Sequence, residues 1–268
     1  MKIDEDVLKC VGFIAARRVD GSYRLCGSVF FVGLSPGAEP NTANEIVWIT
    51  ARHVIDGIRS LGLSEAHIRL NQRNGETRWV STQLSEWFML PDQTCDVAIL
   101  RRDLMDWDDH KVVGPNFFLT DEVQTKIQFG VTDEVIVTGL FTHRAGNRRN
   151  VPIVRIGNIA SLNHEEKVST KLGEMPAYLI ECRSIGGLSG SPVFVLTGVE
   201  RALNGKVLNG DSHVYLLGLI HGHYDVLDSA IDEVDAAGGL TANRVNTGIA
   251  IVTPFWRLQK VFEAFRTQ

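Results

Sequence analysis

Apolar residues come in short, closely spaced runs broken by Gly, Pro, Asn and Asp, a pattern that predicts many strands rather than a few long helices. Val11 to Arg17 and Tyr23 to Gly33 flank Val19-Asp20-Gly21-Ser22, in which Asp-Gly supplies a hairpin turn. After a polar loop from Pro36 to Asn44, Glu45 to Thr50 reads as a strand running into His53, and Val54 to Ser60 as a short helical turn. Ile68 to Gln72 and Glu76 to Leu84 are strands joined by Arg73-Asn74-Gly75, and another apolar run follows Asp96. Asp103 to His110 is an acidic loop, and the stretch to about Gly130 has no clear period, which places a connection between two strand sets there. The second set comprises Glu134 to Phe141, Val151 to Leu162, Ala177 to Cys182, Ser191 to Leu196, Val214 to His221 and Gly248 to Val252. Thr142 to Asn150 is a basic loop, and Tyr224 to Asn246 a long loop rich in Asp, Ala and Gly. Thr253 reads as an N-cap and Pro254 as the first residue of a helix whose Phe255, Leu258, Val261, Phe262 and Phe265 share one face. So many short strands point to a barrel or sandwich.

Composition narrows this little. The chain has 268 residues, 44% hydrophobic and 22% charged, enough for one large domain or two small ones with sizeable cores. A net charge of −5 argues against a general nucleic-acid binder. No apolar run approaches the ~20 residues that span a bilayer, and Met1-Lys2-Ile3-Asp4-Glu5-Asp6 opens without the apolar stretch of a secretory leader. Cys10, Cys26, Cys95 and Cys182 form no C-x-x-C pair; Cys10 and Cys26 lie within reach across a hairpin, but buried free thiols are the expected state. Together these features point to a cytoplasmic protein with neither nucleic-acid nor membrane partner.

The chemistry concentrates in Ser184-Ile185-Gly186-Gly187-Leu188-Ser189-Gly190-Ser191-Pro192-Val193-Phe194. A serine between glycines in a tight turn lets substrate approach the main chain, and the amides of Gly187 and Ser189 can point at one oxygen. A serine hydroxyl needs a base, and the base needs an orienting acid. His53 closes the strand Glu45 to Thr50, and Asp96 opens the apolar run Val97 to Leu100. The order His53, Asp96, Ser189 excludes the α/β-hydrolase arrangement, and Ser191 occupies the last glycine position of the G-x-S-x-G elbow.

Thr50-Ala51-x-His53, Asp96-x-Ala98-x-Leu100 and Gly187-x-Ser189-Gly190-Ser191-Pro192, in this order, resemble the chymotrypsin-like (trypsin-like) serine peptidases of bacterial type. The resemblance implies an all-β fold of two six-stranded antiparallel barrels with a cleft between them and a C-terminal helix on the second barrel. Its divisions fall at residues 1–115, 116–253 and 254–268. It implies a His53-Asp96-Ser189 triad, an oxyanion hole at Gly187 and Ser189, a polypeptide substrate and no cofactor, with a separate targeting or regulatory protein in the absence of an appended domain. The competing class is the same fold used as a catalytically silent peptide-binding module. Leu188 departs from the family's digestive members, whose aspartate at this position pairs with a new N-terminus, so activation of that kind is not expected.

By the same resemblance Arg183 lies at the base of the substrate pocket, and His221, Gly222 and His223 form its wall, an arrangement suited to an acidic side chain. His221 and His223 supply only half of a usual zinc shell, with Asp225 as a third candidate, and no metal is expected. Arg144, Arg148 and Arg149 read as a solvated basic face.

Overall fold

The structure is a computed structural model. It describes residues 4–34, 45–127, 129–162, 166–170, 172–182, 187–198, 200–203, 206–209, 213–234 and 240–267, with the backbone only of 200–209 and 225–245. In chain order the strands and helices are β1 (Val11–Arg17), β2 (Tyr23–Leu34), β3 (Glu45–Thr50), α1 (Arg52–Ser60), β4 (Glu65–Asn71), β5 (Thr77–Gln83), β6 (Ala98–Arg101), α2 (Asp121–Ile127), β7 (Glu134–Gly139) and β8 (Ile153–Ser161). They continue with β9 (Val168–Thr170), β10 (Gly173–Met175), β11 (Tyr178–Glu181), β12 (Pro192–Thr197), β13 (Glu200–Leu203), β14 (Lys206–Asn209), β15 (His213–Val234), β16 (Leu240–Pro254) and α3 (Phe255–Arg266).

The first six strands form one antiparallel sheet in the order β5-β4-β1-β2-β3-β6, and β11-β16-β15-β12-β7-β8 close into a barrel. This is the two-sheet, all-β architecture expected from the sequence, with one correction: only the second sheet closes. The reason lies at β6, whose outer edge is taken by Phe88 of the preceding segment. Phe88 N donates to Ile99 O at 2.8 Å and Ile99 N to Phe88 O at 3.0 Å, so the edge is paired without reaching β5. Both sheets feed one continuous core, in which Phe30, Phe31, Trp48 and Ile99 of the first join Val135, Val137, Val193 and Leu219 of the second. Among the described residues no helix is long and apolar enough to cross a membrane.

Several elements differ from the hydrophobic pattern's forecast. The expected loop from Tyr224 to Asn246 is largely a ribbon of β15 paired with β16 from Asp225↔Asn246 to Val234↔Leu240, with register shifts along it. Backbone pairing carries it, which is why its Asp, Ala and Gly content hides it from a propensity reading. Helix α2 lies in the stretch without a clear period, and the small hairpins β9–β10 and β13–β14 lie where the sequence reading assigns no element. At α3 the N-cap is Pro254, with no side-chain cap, rather than Thr253. Thr253 still pairs with Leu219, so its extended backbone belongs to the barrel ladder. Helix α3 packs on β15 and β16 and also reaches the first sheet, with Phe265 5.7 Å from Phe88 and beneath the Arg101 guanidinium. All four cysteines are free, and burial pushes the Cys10 thiol up to about 12.

Polar ties hold the two halves in register. Arg69 of β4 donates to the carbonyls of Gly146 and Asn147 at 2.8 and 2.7 Å, and Asn71 and Asn150 exchange side-chain to backbone bonds of 3.1 and 2.7 Å. The backbone of this basic loop is docked on the first sheet, while Arg144, Arg148 and Arg149 remain exposed as the solvated basic face the sequence suggests, with Arg149 donating to Asp109 at 2.8 Å. In the acidic loop, fully buried Asp108 accepts from Arg78 Nε and Nη2 at 2.7 and 2.6 Å and from the Met105 amide at 2.9 Å. Burial alone would raise its pKa; the Arg78 bonds and the Met105 amide reverse that and hold it below the ordinary value.

Asp108→Ala strands the Arg78 guanidinium and should cost about 3 kcal/mol in a denaturant titration at neutral pH. The folded carboxyl lies below its unfolded value of about 3.9, so its contribution is full above about pH 4 and fades as pH falls further. The difference between wild type and variant should close in acid. A difference that persists undiminished at about pH 2 would show that charge pairing does not hold this loop.

Candidate active site

His53 enters the site as the second residue of α1. The preceding N-cap residue, Ala51, has no side chain able to accept a hydrogen bond, and the cap is missing from the local sequence. Asp96 supplies it from across the sheet: its Oδ1 accepts the His53 amide at 2.9 Å while Oδ2 meets His53 Nδ1 at 2.8 Å. A carboxylate at a helix N-terminus is favoured by the exposed amides and the helix dipole. Asp96 is fully buried, while the His53 side chain remains 30% exposed.

Two guanidinium groups hold the turn that delivers Asp96. Arg52, beside His53 in α1, donates to Leu90 O at 2.9 Å. Arg257 of α3 donates to Asp92 Oδ2 at 2.6 Å and to Thr94 Oγ1 at 3.3 Å. The hydrogen bond from Thr94 and the pairing with Arg257 bring the Asp92 carboxyl down to about 2. Asp92, the sequence's nearest competitor of Asp96 for the orienting role, thus belongs to the support of the turn.

The Ser189 turn is built against the first sheet. Gly190 has φ +81, and a Cβ there would lie 2.4 Å from both Ser28 O and Thr50 Oγ1, so only glycine fits. Ser28 N donates to Ser189 O at 2.9 Å, and Gly190 N donates to Ile220 O at 2.8 Å. Behind the turn runs a buried hydroxyl chain: Ser191 Oγ donates to Ser28 Oγ at 3.0 Å, and Ser28 Oγ donates to Gly187 O at 3.2 Å. Ser28 Oγ also accepts the Leu140 amide at 2.8 Å, which ties in the end of β7. Gly187 has φ +104, and among the described residues neither its amide nor that of Ser189 has an acceptor. Leu188 is buried in the core.

His221 departs from its expected place. Where the sequence suggests a pocket wall, its ring turns to the acid, with Nδ1 2.5 Å from Asp96 Oδ2, and its side chain is only 10% exposed. Its carbonyl accepts the Ser189 hydroxyl at 3.3 Å. The rings of His53 and His221 meet edge to face at 5.1 Å. Burial would raise the Asp96 pKa; the His53 charge and hydrogen bonds from both imidazoles overcome it and hold the carboxyl well below the ordinary range. An ionised carboxylate only accepts, so each ring presents Nδ1–H to it, and Nε2 of a neutral His53 keeps its lone pair.

His53, Asp96 and His221 are also a set of potential metal ligands. Their separations fit hydrogen bonds better: both Nδ1 atoms sit 2.5–2.8 Å from one oxygen, whereas two donors at ~2.1 Å from a tetrahedral zinc stand about 3.4 Å apart. His223, one partner suggested by the sequence, is not in this set, and the side chain of Asp225, the other, lies outside the described residues. Gly222 and His223 continue along β15, paired with Ile251 and Ala250. Arg183 lies outside the described residues. Ser28, Arg52, Arg257 and the ring of His221 were not legible as site residues. A serine inside the apolar run of β2 is the one local signal that pointed to any of them.

No family model matches this chain, and no curated protein sequence matches it. Solved structures similar to this chain include the following two. Deg5 has 15% identity over 81% of this chain and 81% of its own, with a TM-score of 0.48. An inactive form of Rv3671c from M. tuberculosis H37Rv, carrying a serine-to-alanine substitution, has 13% identity over 98% of this chain and 89% of its own, also with a TM-score of 0.48. The functional reading rests on the geometry of the site itself.

Proposed function

We propose that this chain is a serine endopeptidase working through an acyl-enzyme, with Ser189 as nucleophile, His53 as general base and Asp96 as the acid that orients it. The observation that carries this reading is the double hold of Asp96 on His53, by backbone and by ring. A carboxylate that merely capped a helix would not need the second contact. It selects the His53 tautomer whose Nε2 can take a proton, and it stabilises the imidazolium that forms.

In the proposed reaction the Ser189 hydroxyl turns from the His221 carbonyl to His53 Nε2, and the proton passes to the imidazole as Oγ bonds to the substrate carbonyl carbon. The carbonyl oxygen takes the negative charge and is met by the amides of Gly187 and Ser189. Collapse of this intermediate breaks the C–N bond, and His53 gives its proton to the leaving amine. Water repeats the sequence to release the acid. With its ring committed to Asp96, His221 does not serve as the partner of a substrate carboxylate.

Ser189→Ala and His53→Ala should each reduce cleavage of denatured protein by at least about 10⁴-fold, and their combination should lose no more, because the residues act as one unit. Asp96→Asn should lose about 10⁴-fold through the wrong imidazole tautomer. Circular dichroism checks that each variant is folded, and near-normal turnover by folded His53→Ala would sink the mechanism.

The bracing of the turn makes a separate claim. Ser28→Ala removes the link between Ser191, Leu140 and Gly187, and should lower kcat/KM about tenfold or more in a folded protein. Unchanged kinetics in Ser28→Ala would show that the turn holds its shape without the hydroxyl chain.

A further inference from the structure

We infer that His221 is a positioning residue of this site, its ring holding the Asp96 carboxylate and its carbonyl the Ser189 hydroxyl, so that one residue of β15 registers acid and nucleophile against each other. This deepens the peptidase reading and rests on it. The two contacts run in opposite directions from a single residue: Nδ1 to Asp96 at 2.5 Å and the carbonyl to Ser189 Oγ at 3.3 Å. Asp96 lies just before β6 of the first sheet and Ser189 just before β12 of the barrel, so His221 links residues delivered by the two halves.

The ring does more than fill space. Asp96 is fully buried, and among the described residues its charge meets three N–H donors: the His53 amide, His53 Nδ1 and His221 Nδ1. Two of these share Oδ2. A second donor on that oxygen draws on the electron density that His53 uses, so the carboxylate stabilises the His53 imidazolium less than an unshared one would. His221 thereby helps to set the pH at which His53 becomes a free base. Other groups near the pair do not duplicate this effect. The Cys95 thiol is raised to about 11 by burial and stays neutral, and Asp92 is paired with Arg257. Arg52 is paired with Asp56 and the Leu90 carbonyl, and His223 is the nearest titratable group on β15 itself.

Removing the donor therefore has a signed consequence. With Oδ2 left to His53 alone, the imidazolium is better stabilised, and the acid limb of the pH profile moves to higher pH. Asn places an amide N–H near the position of Nδ1 and should restore the limb; Leu fills similar space with no donor.

The test compares pH profiles of kcat/KM for wild type, His221→Asn and His221→Leu on one peptide substrate. His221→Leu should lose about tenfold or more at its optimum, the scale of one hydrogen bond to a charged group, and its acid limb should rise by about half a pH unit or more. His221→Asn should keep the wild-type midpoint. An unmoved limb in His221→Leu, or equal displacement in both variants, overturns the proposal. A second readout needs no turnover: low-field proton NMR of the wild type should show two protected imidazole N–H signals, one lost in His221→Leu and the other in His53→Leu. A single signal, or two that ignore His221→Leu, also overturns it. Should His221→Leu not fold, the wild-type spectrum and the His221→Asn profile and spectrum decide. Absence of hydrolysis by wild type, with both NMR signals present, would reject the peptidase reading while leaving the hold on Asp96 in place.

Discussion

A carboxylate buried away from water is expensive unless it is surrounded by donors, and Asp96 sets that condition for the whole site. Its donors come from α1 and β15, that is, from both halves of the molecule. Helix α1 in turn has no cap of its own, so its first turn depends on the same carboxylate. The acid, the helix carrying His53 and the strand beside Ser189 thus form one electrostatic unit. Moving any of them leaves a charge or an amide without a partner.

The remaining architecture keeps that unit in register. Close backbone packing of Gly190 on Ser28 and Thr50 fixes the nucleophile's turn against the first sheet. The Ser191–Ser28–Gly187 hydroxyl chain extends this contact through the core. Farther out, Arg69 and Asn150 tie the loop after β7 to β4, and Arg257 ties α3 to the turn before Asp96. These are polar bonds made across the sequence, and they give direction to an interface that apolar packing alone would leave free to slide.

Much of this is legible in the amino-acid sequence itself. Strands such as β3 and β7 announce themselves by runs of Val, Ile and Trp, and their ends fall within a residue or two of the expected ones. The motif residues His53, Asp96 and Ser189 are distant in sequence, yet the first two share hydrogen bonds and the third lies against His221. What stayed hidden is what depends on three-dimensional partners. Nothing local distinguishes the ring of His221 facing Asp96 from one facing a pocket, since a one-residue change of register exchanges the two faces, and β15 shifts register between Ile220 and Gly222. The open edge between β5 and β6 is likewise invisible, because Phe88 occupies it from outside any predicted strand.

The central claim is that Ser189 is an activated nucleophile rather than one more hydroxyl in a glycine turn. A fluorophosphonate forms a phosphorus–oxygen bond only with a serine whose proton is taken by a base and whose developing charge is met by donors. Treating the folded protein with such a probe and mapping the adduct by peptide mass spectrometry addresses that claim without any knowledge of the substrate. The account predicts one adduct, on Ser189, that disappears in His53→Ala. A folded protein that takes no label, or takes it on another residue, would contradict the account and leave a fold that grips peptides without cutting them.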